Sequence, residues 1–332
     1  MAIDTGFYAL TQFQVAVKAE TTLGTANTTT MQLVNIDGYP SVNFDCIRDF
    51  PVRTGAGRTF KKLDAFVNDA GTIKEVSFTA FYDQTTAPIF ISNVMGVAVD
   101  TSPAAYEIVY NYTGPECKDG DTDTDDTGAL TVALVSPEGS NTIILPGCFV
   151  SNFKMYADTG TDGGRFKMDV TLKTAYQPTT AQAAPGSMAA YPVTYRTIYD
   201  LQGASGVSTL NGNDVVLNKI EVEVNNNVKF FGFDSTGDPQ VMARGMPEME
   251  CMGLVGVKYD ANTAALLASF DEEDIEFLFH NNAWASATFG FKGDYGQITE
   301  SLAPADVEGC AFVDVPLKFG ASTSGNVLAI VP

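Results

Sequence analysis

Three aspartates, Asp119, Asp121 and Asp123, come nearest to a metal-binding pattern in this sequence. Oxygen ligands at alternate residues are typical of a calcium-binding loop. The sixth position of such a loop would be Thr124, where the turn needs glycine, and the twelfth would be Leu130, where a bidentate glutamate is needed. A weak calcium site is therefore a candidate, and a solvated acidic hairpin loop is the favoured interpretation.

Catalytic chemistry has little support. His280 is the only histidine, so one chain cannot supply a two-histidine zinc site, and a histidine-based triad would have to use this residue. It follows the apolar residues 277–279, which favours a packing role. The glycine patterns of nucleophile elbows, phosphate-binding loops and dinucleotide sites are not found. We expect no enzyme and no cofactor.

A basic cluster stands out in a chain whose formal net charge is −21. It lies in a long segment, residues 48–71, and is formed by Arg48, Arg53, Arg58, Lys61 and Lys62. One interpretation is a solvated loop with scattered charge. We favour another, docking onto the acidic surface of a neighbouring copy, because the local sign opposes the global one. Opposite charges on opposite ends generate head-to-tail contact, and an unclosed contact of that kind generates a filament.

The acidity is spread through both halves of the chain, so it is not a tail. Wrapping of nucleic acid is excluded, because phosphate binding needs clustered lysine and arginine. An acidic surface could still line a passage through which DNA slides. The alternative is a solubility or salt-adapted surface.

The compartment is inferred from the N-terminus and the cysteines. Residues 1–4 carry neither a basic region nor an apolar stretch, and no apolar run reaches the about 20 residues that span a bilayer. The five cysteines are widely spaced, without a CxxC pair. We expect reduced thiols in a protein that folds in the cytoplasm and does not enter a membrane.

A repeated pattern indicates how the elements are organised. Residues 168–173 and 313–318 share the order apolar, acidic, apolar, small, Leu, Lys. Around each copy the sequence predicts strand, long loop, strand, helix and further strands. The predicted strands include residues 42–46, 73–81, 149–155, 166–174, 215–224, 248–259, 285–292 and 311–319. Helices are predicted at residues 88–95 and from Thr263 onward, the latter including the apolar stripe Ile275, Leu278 and Phe279.

These elements predict a mainly β protein made of two similar β-barrel or sandwich modules, each with a short flanking helix. The predicted domains are residues 1–178 and 193–332, joined by a small, uncharged linker at residues 179–192. A doubly wound α/β fold is excluded because too few helices lie between the strands.

Several segments resemble one family. Residues 20–25 read Glu-Thr-Thr-Leu-Gly-Thr, and a basic, glycine-bearing loop follows at residues 48–57. The strand at 71–81 leads into the helix at 88–95, and residues 146–153 precede the strand at 166–174. In this order the chain resembles a tail tube protein (major tail protein) of long-tailed, siphovirus-like bacteriophages, of the duplicated-domain type.

The resemblance implies sheets that join those of neighbouring copies into a continuous inner β-barrel. Rings would stack into a hollow virion tail tube that stores the tape measure protein, meets tail terminator and distal tail proteins, and conducts DNA without specific binding. The basic cluster would be the inter-ring stacking loop. With two similar halves, three chains would form a ring, and six chains are the alternative.

Two other classes stay open. One is a two-domain carbohydrate-binding module of a phage baseplate or surface, in which Trp284 and tyrosines would supply a stacking face. The other is a different virion structural protein, such as a tail terminator or a head decoration protein.

Overall fold

The computed structural model describes residues 12–44, 47–49, 66–68, 72–95, 105–109, 128–191, 194–202, 206–226, 228–233, 239–242, 249–268, 275–300, 302–307, 309–320 and 326–332. These residues are mainly in β-strands, as predicted, and they include three short helices. No helix among them has both the length and the apolar composition needed to cross a bilayer.

The elements of the first half are β1 (Gln14–Ala19), β2 (Met31–Val34), β3 (Ser41–Phe44), β4 (Ile47–Asp49), β5 (Phe66–Asn68), β6 (Lys74–Phe81), α1 (Ala87–Met95), β7 (Tyr106–Val109), β8 (Leu130–Val135), β9 (Thr142–Asp158), β10 (Lys167–Thr174), β11 (Thr179–Gln182) and β12 (Met188–Ala189).

Those of the second half are α2 (Ile198–Gln202), β13 (Val207–Leu210), β14 (Asn213–Asp214), β15 (Leu217–Asn225), β16 (Lys229–Phe233), β17 (Pro239–Met242), β18 (Glu250–Lys258), α3 (Ala261–Ala268), β19 (Ile275–His280), β20 (Gly290–Ile298), β21 (Pro304–Val307), β22 (Cys310–Gly320) and β23 (Asn326–Val331).

The central strands alternate strictly between buried and half-exposed residues. In β6, Val76, Phe78 and Ala80 are buried while Glu75 and Thr79 are not. Strand β10 follows the same period of two, and so does β15 from Lys219 onward, after a bulge between Leu217 and Lys219. Such alternation places one face of a sheet on the core and leaves the other face polar.

Eight strands form an antiparallel sheet that runs through both halves, here called the eight-strand sheet. Its order is β3-β6-β10-β9-β15-β18-β22-β21, and every neighbouring pair is antiparallel. The halves meet where β9 pairs with β15, for example Phe153 with Val224 and Met155 with Val222.

Strand β9 belongs to two sheet regions. Its first part pairs with β8 and β11, from which the sheet continues through β1 and β2 to β12, whereas its second part pairs with β10 and β15. The change occurs at Pro146 and Gly147, where Gly147 has a φ of 62°. Glycine adopts this left-handed conformation without the steric cost of a side chain.

Strands β13, β19, β20 and β23 of the second half continue the sheet beyond β22 and reach β7 of the first half. Strand β20 pairs with β19, β22 and β23, β19 pairs with β13, and β23 pairs with β7 of the first half. A single hydrophobic cluster contains residues of both halves. Within it, Tyr82 and Phe166 of the first half contact the ring of Phe289, with ring centroids 5.3 and 4.9 Å apart.

Two finer predictions are therefore not confirmed. The described strands do not close into barrels, and separate modules are not seen because β9 pairs with β15 and the core is shared. Parts of the predicted linker pair with other strands, β11 with β9 and β12 with β2. The domain boundary itself stays a prediction.

The predicted helical stripe at Ile275, Leu278 and Phe279 is wrong. These residues lie in β19, and the helix, α3, ends earlier, at Ala268. Residues 275, 277 and 279 are buried while 276 and 278 are half-buried, which is the period of a strand. Spacings of three and four occur by chance in a strand that is buried on one face and partly covered on the other.

Candidate assembly interface

Both edges of the eight-strand sheet are formed by exposed strands. All four residues of β3 and all four of β21 are exposed, and each strand pairs with one neighbour. Val42, Phe44 and Val307 are 39, 37 and 39% exposed. An exposed strand edge presents unpaired N–H and C=O groups that can pair with another chain.

The sequence of elements in the first half recurs in the second. Strands β3, β6, β10 and β9 lie side by side, followed in the sheet by β15, β18, β22 and β21. A hairpin, β4–β5 or β16–β17, precedes β6 and β18 in the chain, and a helix, α1 or α3, follows each of them.

The repeated six-residue pattern falls on equivalent strands, β10 and β22. Met168 pairs with Ala80 of β6, and Val313 pairs with Val257 of β18. The acidic position differs in its surroundings. Asp169 accepts a hydrogen bond from Thr79 Oγ1 at 2.6 Å, whereas Asp314 lies opposite Gly256.

Ion pairs cross the polar face of the sheet at the junction between the halves. Lys154 of β9 lies 2.5 Å from the carboxylate of Glu221 on β15, and Lys219 lies 3.2 Å from the same carboxylate. Asn152 donates to Glu223 at 2.6 Å. Burial alone would raise the pKa of Glu221, but the two lysines outweigh burial and lower it.

A buried carboxylate holds the bend of β9 in place. Glu20 is 2% exposed and accepts hydrogen bonds from the N–H groups of Gly24 and Gly147 and from Thr131 Oγ1, each 2.8 Å long. The ring of Tyr176 fills the space that a Cβ atom on Gly24 or Gly147 would occupy. We call this set of five residues the Glu20 corner; it fixes where β9 turns toward β10 and β15.

The sequence-predicted basic cluster is only partly placed. Arg48 lies on β4, which pairs with β5. Arg53, Arg58, Lys61 and Lys62 fall between β4 and β5 in the chain, outside the described residues. Because β3 ends and β6 begins at one end of the sheet, the β4–β5 segment is inserted at that end, and β16–β17 is inserted at the same end between β15 and β18.

The candidate calcium ligands, Asp119, Asp121 and Asp123, also lie outside the described residues. His280 is 3% exposed, its Nδ1 contacts the carbonyl oxygen of Asn282, and burial lowers its pKa. Trp284 is half-buried and lies edge-on to His280, with ring centroids 5.7 Å apart.

Sequence reasoning predicted the strand at residues 42–46, which corresponds to β3, but not its position at a sheet edge, and it missed β21. Strand β21 contains Pro304 and Asp306, residues that disfavour a strand interior, and both are typical of edge strands. The cross-strand pairs of Lys154 and Glu221 could not be read from the sequence because they depend on the register between distant strands.

Comparison with known proteins adds no identity. The chain matches no protein-family model and no curated protein.

Proposed function

We propose that the chain is a structural subunit that self-assembles edge to edge into closed rings, which stack into the hollow tail tube of a long-tailed bacteriophage and conduct DNA. The observation that carries this proposal is the β9–β15 junction, at which the last strand of one four-strand set pairs with the first strand of an equivalent set. The same junction can be repeated between copies, with β21 of one chain pairing with β3 of the next.

Strand direction supports this repeat. Seven antiparallel pairings separate β3 from β21, so these two edge strands run in opposite directions. A head-to-tail contact between β21 and β3 of the next copy would therefore be antiparallel, like the β9–β15 pairing. Heterologous contacts of this kind give rings when the rotation closes.

Ring closure would also explain why both edge strands are exposed in the single chain. Unpaired strand edges can pair with other chains, and soluble β proteins therefore protect or cover them. Pairing around a ring would leave no edge in this sheet. With two four-strand sets in each chain, three chains give a ring with six equivalent sets, and six chains remain the alternative.

Charge supports stacking of such rings. The β4–β5 segment with the basic cluster is inserted at one end of the sheet. Three aspartates lie at the opposite end of the sheet: Asp158 at the end of β9, Asp260 just after β18, and Asp37 just before β3. A basic end of one ring would meet an acidic end of the next. Tape measure, tail terminator and distal tail proteins would then be partners within the virion, after folding in the host cytoplasm.

Thiol cross-linking tests the edge contact. Asn43 pairs with Glu75 and Ala305 pairs with Phe312, so both side chains lie on the polar face of the sheet, one at each edge. In a background with Cys46→Ser, Cys117→Ser and Cys310→Ser, chains carrying Asn43→Cys are mixed with chains carrying Ala305→Cys and treated with a short bifunctional thiol reagent. We expect cross-linked dimers in the mixture.

Each single variant treated alone is the matched control. Dimers from Asn43→Cys alone would indicate a two-fold contact between two β3 strands, which forms no ring. Failure of the mixture to cross-link at any protein concentration would show that the edges do not meet. Either outcome would overturn the proposal.

A further inference from the structure

The polar face of the eight-strand sheet keeps its charges balanced although the chain is strongly acidic. The register places six lysines on this face: Lys154, Lys167, Lys173, Lys219, Lys258 and Lys318. It places seven carboxylates there: Glu75, Asp158, Asp169, Glu221, Glu223, Glu250 and Asp314. Six positive and seven negative charges give a net of −1 on this face, against −21 for the chain. The excess negative charge therefore lies elsewhere.

Five of the six lysines are held in ion pairs within the chain. Lys154 and Lys219 share the carboxylate of Glu221, at 2.5 and 3.2 Å. Lys318 lies 3.0 Å from Glu250 on the next strand. Only Lys258, exposed at the end of β18, has no ion pair among the residues that the structure describes.

The pairs near β10 tie lysines to carboxylates on both sides. Lys167 lies between Asp37, at 2.8 Å, and Asp162, and the hydrogen bonds to Asp162 and Asp37 raise its pKa. Lys173 lies 3.8 Å from Glu75 of β6. The side chains of Lys154, Lys167, Lys173 and Lys219 are between 15 and 28% exposed.

Lysines that are already in ion pairs lower the affinity of this face for a polyanion. Phosphate binds a protein when a lysine or arginine is free to neutralise it and release a counterion. A lysine that already holds a carboxylate can bind phosphate only by giving up that partner. A strongly acidic face, in contrast, would repel the polyanion along its whole length.

We propose that this face is a passage surface for duplex DNA, on which the five paired lysines are kept from phosphate by their carboxylate partners. The inference rests on the proposed function and adds that the polar face of the eight-strand sheet lines the bore of the ring. Glu221, Glu75 and Glu250 then have a specific role, which is to hold the lysines in ion pairs so that these do not bind phosphate.

Glu221→Gln tests this role because it releases two lysines with one conservative change. Binding of the unassembled chain to a short duplex DNA is measured by fluorescence anisotropy across a salt series. We expect negligible binding by the wild type. We expect the variant to bind about tenfold more tightly at low salt, with a salt dependence steeper by about two counterions.

Glu138→Gln is the matched control, since it removes the same charge from an exposed turn between β8 and β9, outside this face. Equal gains in both variants would show that net charge alone matters, and tight binding by the wild type would show that the lysines are free. Either result overturns the inference, as does the lack of any gain in Glu221→Gln.

Glu75→Gln, which releases Lys173 alone, repeats the test on another strand should Glu221→Gln fail to fold by circular dichroism. The test is independent of assembly. A gain of DNA binding by a chain that never forms rings would support the charge-occupied face while removing the tube, and rings without that gain would do the reverse.

Discussion

At the scale of single residues, Glu20 connects a short sequence motif to the bend of β9 through the hydrogen bonds of its carboxylate. In the segment Glu20-Thr21-Thr22-Leu23-Gly24-Thr25, the first and fifth residues are joined by the hydrogen bond from Gly24 N–H to Glu20. The sequence could not show that Gly147 and Thr131 donate to the same carboxylate, because they lie over 100 positions away.

The buried position of Glu20 predicts a pH dependence of stability. Burial raises its pKa more than the hydrogen bonds from Gly147, Thr131 and Gly24 lower it. A carboxyl group whose pKa is raised by folding stabilises the protein fully below its unfolded pKa of about 4.5. That contribution is lost as the pH rises through the folded pKa. We expect the free energy of unfolding of the wild type to fall relative to that of Glu20→Gln over this range.

Chemical denaturation at a series of pH values measures the difference. Glu138→Gln, an exposed change outside the corner, is measured in parallel to control for the loss of one carboxylate. Parallel stability curves for the wild type and Glu20→Gln would show that burial does not perturb this group.

At the scale of elements, the bend of β9 decides which strands can be neighbours. One strand serves β8 and β11 before the bend and β10 and β15 after it. Without the bend at Gly147, the second part of β9 could not leave the first sheet region to join the two halves of the chain.

Gly147→Ala is therefore expected to be strongly destabilising. A Cβ atom there would overlap the ring of Tyr176, and the backbone has a φ of 62°. Gly163→Ala is the matched control, because Gly163 has a φ of 64° and open space around it. The control should cost about 1 kcal/mol from backbone strain alone. Overpacking should add about 2 kcal/mol more in Gly147→Ala.

The free energies of unfolding of the two variants give the comparison. Equal losses would mean that Tyr176 moves aside without cost and that the corner is not tightly packed.

Elements with strict alternation were predictable from the sequence. The predicted strands at 73–81, 166–174 and 215–224 correspond to β6, β10 and β15, and the helix at 88–95 corresponds to α1. Two elements were not predictable. Strand β19 carries helical spacing by coincidence, and the polar, proline-containing β21 lacks an apolar pattern because an edge strand buries little.

At the scale of the whole molecule, the repeat and the charge distribution have a common interpretation. The two four-strand sets lie side by side in one sheet, and its two edge strands, β3 and β21, run in opposite directions, so they could pair between copies. The polar face of that sheet is close to neutral, so most of the chain's negative charge lies outside this face. Acidic chains repel one another in an assembly, so stacking should depend on salt, which at 0.1 M screens charges beyond about 10 Å.

Sequence reasoning reached the mainly β class at this scale but not the arrangement of the halves. Short-range patterns identify strands, whereas the pairing of β9 with β15 depends on contacts between residues about 70 positions apart. The predicted site residues are only partly placed. Arg48 lies on β4, and the rest of the basic cluster lies outside the described residues.

Electron microscopy of the purified chain at rising protein concentration and salt tests edge-to-edge assembly most directly. Edge-to-edge assembly predicts hollow rings or tubes in which each ring contains three chains. Compact, unassembled chains under every condition would contradict it.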